Sequence, residues 1–66
     1  MKITLNGQKK ECADSLSLKN IIEQFCKETR PVVAEVNGTI IKSPQWAQKI
    51  LSPGDTVELV NFVGGG

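Results

Sequence analysis

The feature that most constrains the fold is one helical stripe of apolar residues in a chain whose other apolar segments are short. Its members recur three and four positions apart, which is the spacing of the buried face of an amphipathic helix. They are Leu18, Ile21, Ile22, Phe25 and Cys26. Ser17 precedes the stripe and is suited to cap its first turn. Pro31 disfavours helical geometry at the residue before it, so the helix is expected to end near there. A helix with one apolar face needs a second layer to cover it.

Short segments on both sides of the helix predict the strands of that second layer. The expected strands lie at residues 1–5, 8–13, 32–36, 39–42 and 56–63. Asn6-Gly7 separates the first two strands, and Asn-Gly is the strongest short hairpin signal because a type I′ turn needs positive φ at both central positions. Asn37-Gly38 separates the third strand from the fourth.

Two further signals lie between the fourth and fifth strands. Ser43-Pro44 suits the start of a second, short helix, because proline at the first helical position loses no donor that the helix needs. One or two turns over residues 45–50 would bury Trp46 and Ile50. Residues 52–55, with the sequence Ser-Pro-Gly-Asp, predict a tight turn before the last strand.

These elements predict an α+β fold in which one mixed sheet of about five strands packs on one main helix. The domain is expected over residues 1–63, followed by a flexible glycine tail at residues 64–66. A chain of 66 residues needs nearly all its apolar side chains for one core. Little is left for an internal ligand pocket, so function is expected on the surface or at an end of a chain that is monomeric when free.

Composition argues against several classes of function. The net charge of +1 is spread along the chain with no basic stripe, which argues against a nucleic-acid partner. No apolar run approaches the roughly 20 residues of a membrane span, and the N-terminus turns polar too early for a signal peptide. The expected compartment is therefore the cytoplasm, without membrane attachment. Histidine is absent, which removes the commonest general base and transition-metal ligand, so neither a self-contained enzyme nor a metal site is expected.

The two cysteines, Cys12 and Cys26, are too few for a disulfide framework and lack the close spacing of a zinc site. We expect both to be reduced and to fill space in the core, as free cysteines usually do. The alternative is a redox or sulfur-handling role for either.

The alternation of the last strand predicts an exposed apolar pair. If Val57 and Leu59 face the helix, Val60 and Phe62 face outward. An exposed apolar pair beside the chain end is a candidate docking patch. The alternative is that the strand twists and Phe62 folds back onto the rim of the sheet.

The chain stops at Gly64-Gly65-Gly66, directly after that strand. Three extended residues reach roughly 10 Å, and glycines bring no Cβ to collide with the walls of a narrow slot. Such an arm is suited to carry the Gly66 carboxylate into the active site of another protein. The alternative is a frayed terminus without chemistry.

The predicted strand order, the chain length and the terminal glycines resemble the β-grasp, ubiquitin-like superfamily. Within it the whole chain is similar to the sulfur-carrier proteins of thiamin biosynthesis, the ThiS family. The matching pieces are residues 2–7 (Lys-Ile-Thr-Leu-Asn-Gly), 45–48 (Gln-Trp-Ala-Gln), 53–55 (Pro-Gly-Asp) and 62–66 (Phe-Val-Gly-Gly-Gly).

The resemblance implies that Gly66 is the modified residue. A ThiF-type adenylyltransferase would use ATP and Mg²⁺ to convert its carboxylate into an acyl-adenylate. A persulfide from a cysteine desulfurase or another donor would then replace AMP and leave a thiocarboxylate, whose sulfur passes to thiazole synthase. Gly64 and Gly65 would thread the partners' active sites, and Val60 and Phe62 would supply docking that offsets the ordering of the tail.

Two relatives of the same fold remain as alternatives. The small subunit of molybdopterin synthase shares the thiocarboxylate chemistry, but that family tends to be longer and to carry prolines before its tail, whereas this chain has none after Pro53. A ubiquitin-like modifier would instead end as an isopeptide on other proteins. A third alternative is a plain interaction domain whose tail has no chemistry.

Overall fold

The computed structural model describes residues 1–25 and 32–61. They form five strands, one α-helix and a short 3₁₀ turn. The elements are β1 (Lys2–Leu5), β2 (Gln8–Glu11), α1 (Leu18–Phe25), β3 (Val32–Val36), β4 (Thr39–Ile41), the 3₁₀ turn (Ser43–Gln45) and β5 (Thr56–Asn61). The predicted α+β architecture is confirmed, with strands shorter than expected at several ends. The predicted end of the helix, together with Cys26, lies outside the described residues.

The five strands form one mixed sheet in the order β2-β1-β5-β3-β4. The last strand in the sequence lies at the centre of the sheet, parallel to β1 and antiparallel to β3. The other two pairs, β1 with β2 and β3 with β4, are antiparallel hairpins. The parallel contact between the first and last strands needs a crossover, and α1 lies within the chain that makes it.

The core lies between the sheet and α1, as the helical stripe predicts. The helix contributes Leu18, Ile21 and Ile22, all buried. Phe25, which the stripe also placed on the core face, is 36% exposed, so the prediction was wrong for this residue. The buried sheet residues, alternating along their strands, are Ile3, Leu5, Ala34, Val36 and Val57. Cys12 is half-buried against this core, which agrees with its expected role as a small packing residue, and its thiol is free.

The hairpin turns follow the Asn-Gly signals. Asn6 has φ 50° and Gly7 φ 81°, and Asn37 has φ 52° and Gly38 φ 83°. Positive φ at both central positions matches the right-handed twist of the two flanking strands. Both turns thereby set the register that places one face of each hairpin on the core.

Ser17 caps α1 in the predicted way and adds a reciprocal contact. The backbone N–H of Asn20 donates to Ser17 Oγ at 3.2 Å, and the backbone N–H of Ser17 donates to Asn20 Oδ1 at 3.1 Å. The Ser17 hydroxyl also donates to Asn20 Oδ1 at 2.8 Å. Asparagine thus takes the part of the glutamate or glutamine in a capping box.

The prediction for residues 45–50 was wrong in two respects. A 3₁₀ turn at Ser43–Gln45 replaces the expected helix, and Ile50 is 52% exposed rather than buried. An antiparallel bridge between Ser17 and Ile50 makes the chain extended at Ile50. Because alternate residues of an extended segment face opposite sides, Leu51 enters the core in place of Ile50. Trp46 is half-buried, and its indole N–H donates to the Ile41 carbonyl at 2.7 Å.

A polar network joins the β3–β4 hairpin to the start of β5. The carboxylate of Asp55 accepts from the Ser52 backbone N–H at 2.8 Å and from Asn37 Nδ2 at 3.0 Å. Asn37 Oδ1 in turn accepts from the Thr56 backbone N–H at 2.9 Å. The Ser52 hydrogen bond, with smaller contributions from Asn37 and the charge of Lys49, holds the pKa of Asp55 below its usual 3.8.

This network predicts a loss of stability in acid. A lowered folded-state pKa means that the ionised carboxylate stabilises the fold above pH 3.8 and that this contribution disappears as the pH falls further. We expect Asp55→Asn to lower the melting temperature at pH 7 by roughly 4–8 °C, from a loss of about 1 kcal/mol. The difference from wild type should shrink as the pH falls from about 5 to 3. Glu23→Gln, a change at an exposed helix residue, is the control. An Asp55→Asn deficit that stays constant over this range contradicts the assignment.

Candidate docking face and reactive tail

The base of the glycine tail is held at the centre of the sheet. β5 pairs with β3 along its length, from Val57 opposite Val36 to Asn61 opposite Val32. β1 ends beside the start of β5, and there Asn6 Oδ1 accepts from the Leu59 backbone N–H at 2.8 Å. The chain therefore stays in the sheet through residue 61, five positions before Gly66. Gly64, Gly65 and Gly66 lie outside the described residues.

The side chains of β5 alternate as predicted up to the last described positions. Val57 is buried and Leu59 is half-buried against the core, whereas Val60 is 52% exposed on the opposite face. The docking role of Val60 stays a prediction. Phe62, its expected partner, lies outside the described residues.

Val60 belongs to a larger exposed surface on the side of the sheet away from α1. We call this surface the outer patch, and its members are Val33, Glu35, Ile40, Glu58 and Val60. Val33 lies directly opposite Val60 on the neighbouring strand. Ile40 is 63% exposed and lies opposite Glu35. The patch therefore reaches across three strands next to the end of β5.

The sequence analysis missed Val33 and Ile40, although a local signal was present. Val32-Val33 and Ile40-Ile41 are adjacent apolar pairs in short strands. Adjacent residues of a strand face opposite sides, so one member of each pair must leave the core face.

A shallow cavity of about 350 Å³ lies at the other end of the sheet. It is lined by Lys2, Ile3, Thr4, Lys9, Pro53 and Gly54. Because β1 and β5 are parallel, the start of β1 and the turn before β5 lie away from the end of β5 that leads to the tail. The cavity is therefore separate from the outer patch.

Within residues 1–25 and 32–61 no cluster of three or more histidine, cysteine or acidic side chains is placed to hold a metal ion. Over the same ranges, no helix has the length and apolar character needed to cross a membrane.

Comparison with known proteins decides the family. The family model of the ThiS family matches residues 3–66. The chain belongs to the ThiS family. The sulfur carrier protein ThiS of Escherichia coli (strain K12) is 30% identical over 66 residues, covering all of both chains. The crystal structure of the thiamine biosynthesis protein ThiS from Geobacter metallireducens superposes with a TM-score of 0.86 at 28% identity, also covering all of both chains.

A different kind of relative is a thiazole synthase from Paramagnetospirillum magneticum (strain ATCC 700264 / AMB-1). It is 30% identical over 66 residues, which are all of this chain but only 20% of that protein. The chain thus resembles a segment of a much longer enzyme.

These matches confirm the sequence expectation at the level of family and fold. The chain has the ubiquitin-like β-grasp fold and is a ThiS-type sulfur carrier of thiamin biosynthesis, a carrier protein and not a catalyst. Between the two sulfur-carrier families considered from the sequence, the match supports the thiamin one.

Proposed function

We propose that the carboxylate of Gly66 is the sulfur-carrying group and that a ThiF-type adenylyltransferase activates it with ATP and Mg²⁺. The observation that carries this proposal is the central position of β5, whose pairing with β3 holds the chain up to residue 61. The family match extends from the described domain through Gly64 and Gly65 to Gly66. A rigid strand followed by five residues suits delivery of a carboxylate into a partner's active site.

Activation is needed because the free carboxylate is ionised at pH 7 and is a poor electrophile. Attack of a carboxylate oxygen on the α-phosphate of ATP forms an acyl-adenylate and releases pyrophosphate. The mixed anhydride now carries AMP as a good leaving group. The Mg²⁺ ion and the ATP belong to the partner enzyme.

Sulfur then enters from a persulfide on a cysteine desulfurase or another donor. The terminal sulfur attacks the acyl carbon, AMP leaves, and an acyl disulfide joins carrier and donor. A second thiol cleaves the S–S bond by exchange. That thiol and the donor sulfur are oxidised to a disulfide, and the thiocarboxylate is released on Gly66.

Thiazole synthase is the proposed acceptor of this sulfur. The Paramagnetospirillum magneticum thiazole synthase that contains a segment similar to the whole chain supports this choice. A carrier segment within the same polypeptide as its acceptor has a high effective concentration at the acceptor site. For this chain we propose that docking on thiazole synthase brings the carrier to the acceptor site.

Docking must offset the ordering of the tail. Each backbone residue fixed on binding costs about 1–2 kcal/mol, so the tail from residue 62 onward costs several kcal/mol. Burial of Val60 and its neighbour Val33 against a partner favours binding. A fully buried valine side chain contributes about 1.5–3 kcal/mol to the binding free energy. The apolar part of the outer patch lies next to the end of β5, where it can contribute to both partner complexes.

Val60→Thr tests the docking step with little change of shape. The hydroxyl group must be desolvated when the patch is covered, so we expect the KM for the carrier in adenylation to rise about tenfold, which corresponds to about 1.4 kcal/mol. ATP–pyrophosphate exchange catalysed by the adenylyltransferase is the measurement.

Ile50→Thr is the matched control, because Ile50 is as exposed as Val60 (52%) but lies outside the outer patch. We expect its KM to equal that of the wild type. Equal values for both variants would remove Val60 from the docking surface. Absence of carrier-dependent exchange with the wild-type chain would contradict adenylation itself.

A further inference from the structure

The outer patch contains two like charges placed face to face. Glu35 on β3 lies directly opposite Glu58 on β5 in the antiparallel register. Side chains at such positions have Cβ atoms about 4.5–5.5 Å apart, and like charges there are unfavourable. The free domain gains no stability from this arrangement.

The charges are not neutralised by an ion pair among the described residues. Over residues 1–25 and 32–61 the one ion pair joins the amino group of Met1 to Asp14. Glu58 is exposed and Glu35 is half-exposed, so both carboxylates face the solvent that a partner would displace.

Apolar side chains flank the two carboxylates on two sides. Val33 and Val60 form the adjacent cross-strand pair, one step nearer the tail, and Ile40 lies beside Glu35 on the edge strand. When a partner covers this surface, water is excluded from the carboxylates and their interaction with a cation becomes stronger. If a partner covered this surface without providing a cation, two unpaired charges would be buried, which is costly.

The β1–β2 part of the outer face carries charges of both signs, with Glu11 opposite Lys2. Lys2 and Lys9 lie on β1 and β2 on the same side of the sheet, because the alternate residues Ile3 and Leu5 are buried on the other side. Lys9 lies opposite Thr4, level with the start of β5. Among the strand pairs of the described residues, Glu35 with Glu58 is therefore the one that sets two like charges opposite each other, and a partner's cation is directed to it.

We propose that the adenylyltransferase docks on the outer patch with a basic side chain placed between Glu35 and Glu58 and apolar contacts around it. This inference rests on the proposed function, because it names the recognition chemistry of the activating partner. Arginine fits best, since its planar guanidinium can donate to two carboxylates at once and is easier to desolvate than an ammonium group. The charge pair then promotes association and orientation, whereas the valines supply burial.

The test is the association rate of the carrier with the adenylyltransferase, measured by stopped-flow mixing at low and at physiological salt. We expect Glu58→Gln and Glu35→Gln each to lower the rate about three- to tenfold at low salt and to weaken its dependence on salt. Melting temperatures should stay equal to the wild-type value or rise by a few degrees, because a like-charge pair is removed.

Two control variants separate a local effect from a change in net charge. Glu23→Gln removes the same charge from an exposed position of α1 and should leave the rate unchanged. Lys9→Gln removes a positive charge from the other end of the outer face and should leave the rate unchanged or raise it.

The proposal is overturned if Glu58→Gln and Glu23→Gln associate equally fast, or if Lys9→Gln slows association as much as Glu58→Gln. It is also overturned if the glutamine variants lose affinity for thiazole synthase alone. In all three cases wild-type adenylation would persist, so the proposed function would stand. If the wild-type chain is never adenylated, both the proposed function and this inference are overturned.

Discussion

One alanine appended after Gly66 is expected to abolish adenylation, with a loss of at least about 100-fold in rate. The extension moves the terminal carboxylate by one residue, more than 3 Å along an extended chain, and converts the Gly66 carboxyl group into an amide. A displacement of about 1 Å can already cost a factor of about 100 when reacting groups are held in place. Pyrophosphate exchange with the adenylyltransferase measures the effect.

The variant with the added alanine also provides two controls. Its melting temperature should equal that of the wild type, because β5 is paired within the sheet up to residue 61. Removal of the added alanine by a carboxypeptidase that stops at glycine should restore full activity. An extended chain that is adenylated at the wild-type rate without trimming would show that the terminal position of Gly66 is irrelevant.

Ile21→Ala is expected to unfold much of the population at 37 °C. Ile21 is completely buried between α1 and the sheet, and truncation of a buried isoleucine to alanine costs about 2–5 kcal/mol. At about 0.05–0.15 kcal/mol per residue, a domain of this size is stable by only about 3–10 kcal/mol. Denaturant unfolding followed by the fluorescence of Trp46, the single tryptophan, measures the loss.

The same substitution at Ile50 is the matched control. Ile50 is 52% exposed, so Ile50→Ala should change the free energy of unfolding by less than about 1 kcal/mol. Similar losses at both positions would contradict the assignment of Ile21 to the core and Ile50 to the surface.

Local signals predicted most of the fold. The spacing of Leu18, Ile21 and Ile22 located the buried helical face, and the Asn-Gly pairs located two hairpins through their need for positive φ. These features depend on interactions between residues close in the sequence, so they can be derived from short segments.

Features that depend on contacts between distant parts of the chain were harder to predict from the sequence. The exposure of Ile50 follows from the bridge to Ser17, which joins segments far apart in the chain. The central position of β5 depends on which strands pair. The glutamate pair of the outer patch depends further on the register between β3 and β5.

The candidate site also combines features that local signals predict with features that depend on strand pairing. Alternation along one strand predicted that Val60 faces away from the core. Its neighbours Val33 and Ile40 come from two other strands, and they join the patch through pairing alone. The chemistry proposed for Gly66 comes from the ThiS family and lies beyond the described residues.

The most direct measurement is the intact mass and C-terminal peptide sequence of the carrier after incubation with ATP, Mg²⁺, the adenylyltransferase and a persulfide donor. We predict a chain in which one oxygen is replaced by sulfur, with fragment ions that locate the sulfur at Gly66. Sulfur found on Cys12 or Cys26, or no mass change while sulfur transfer proceeds, would contradict a carrier whose terminal carboxylate is the reactive group.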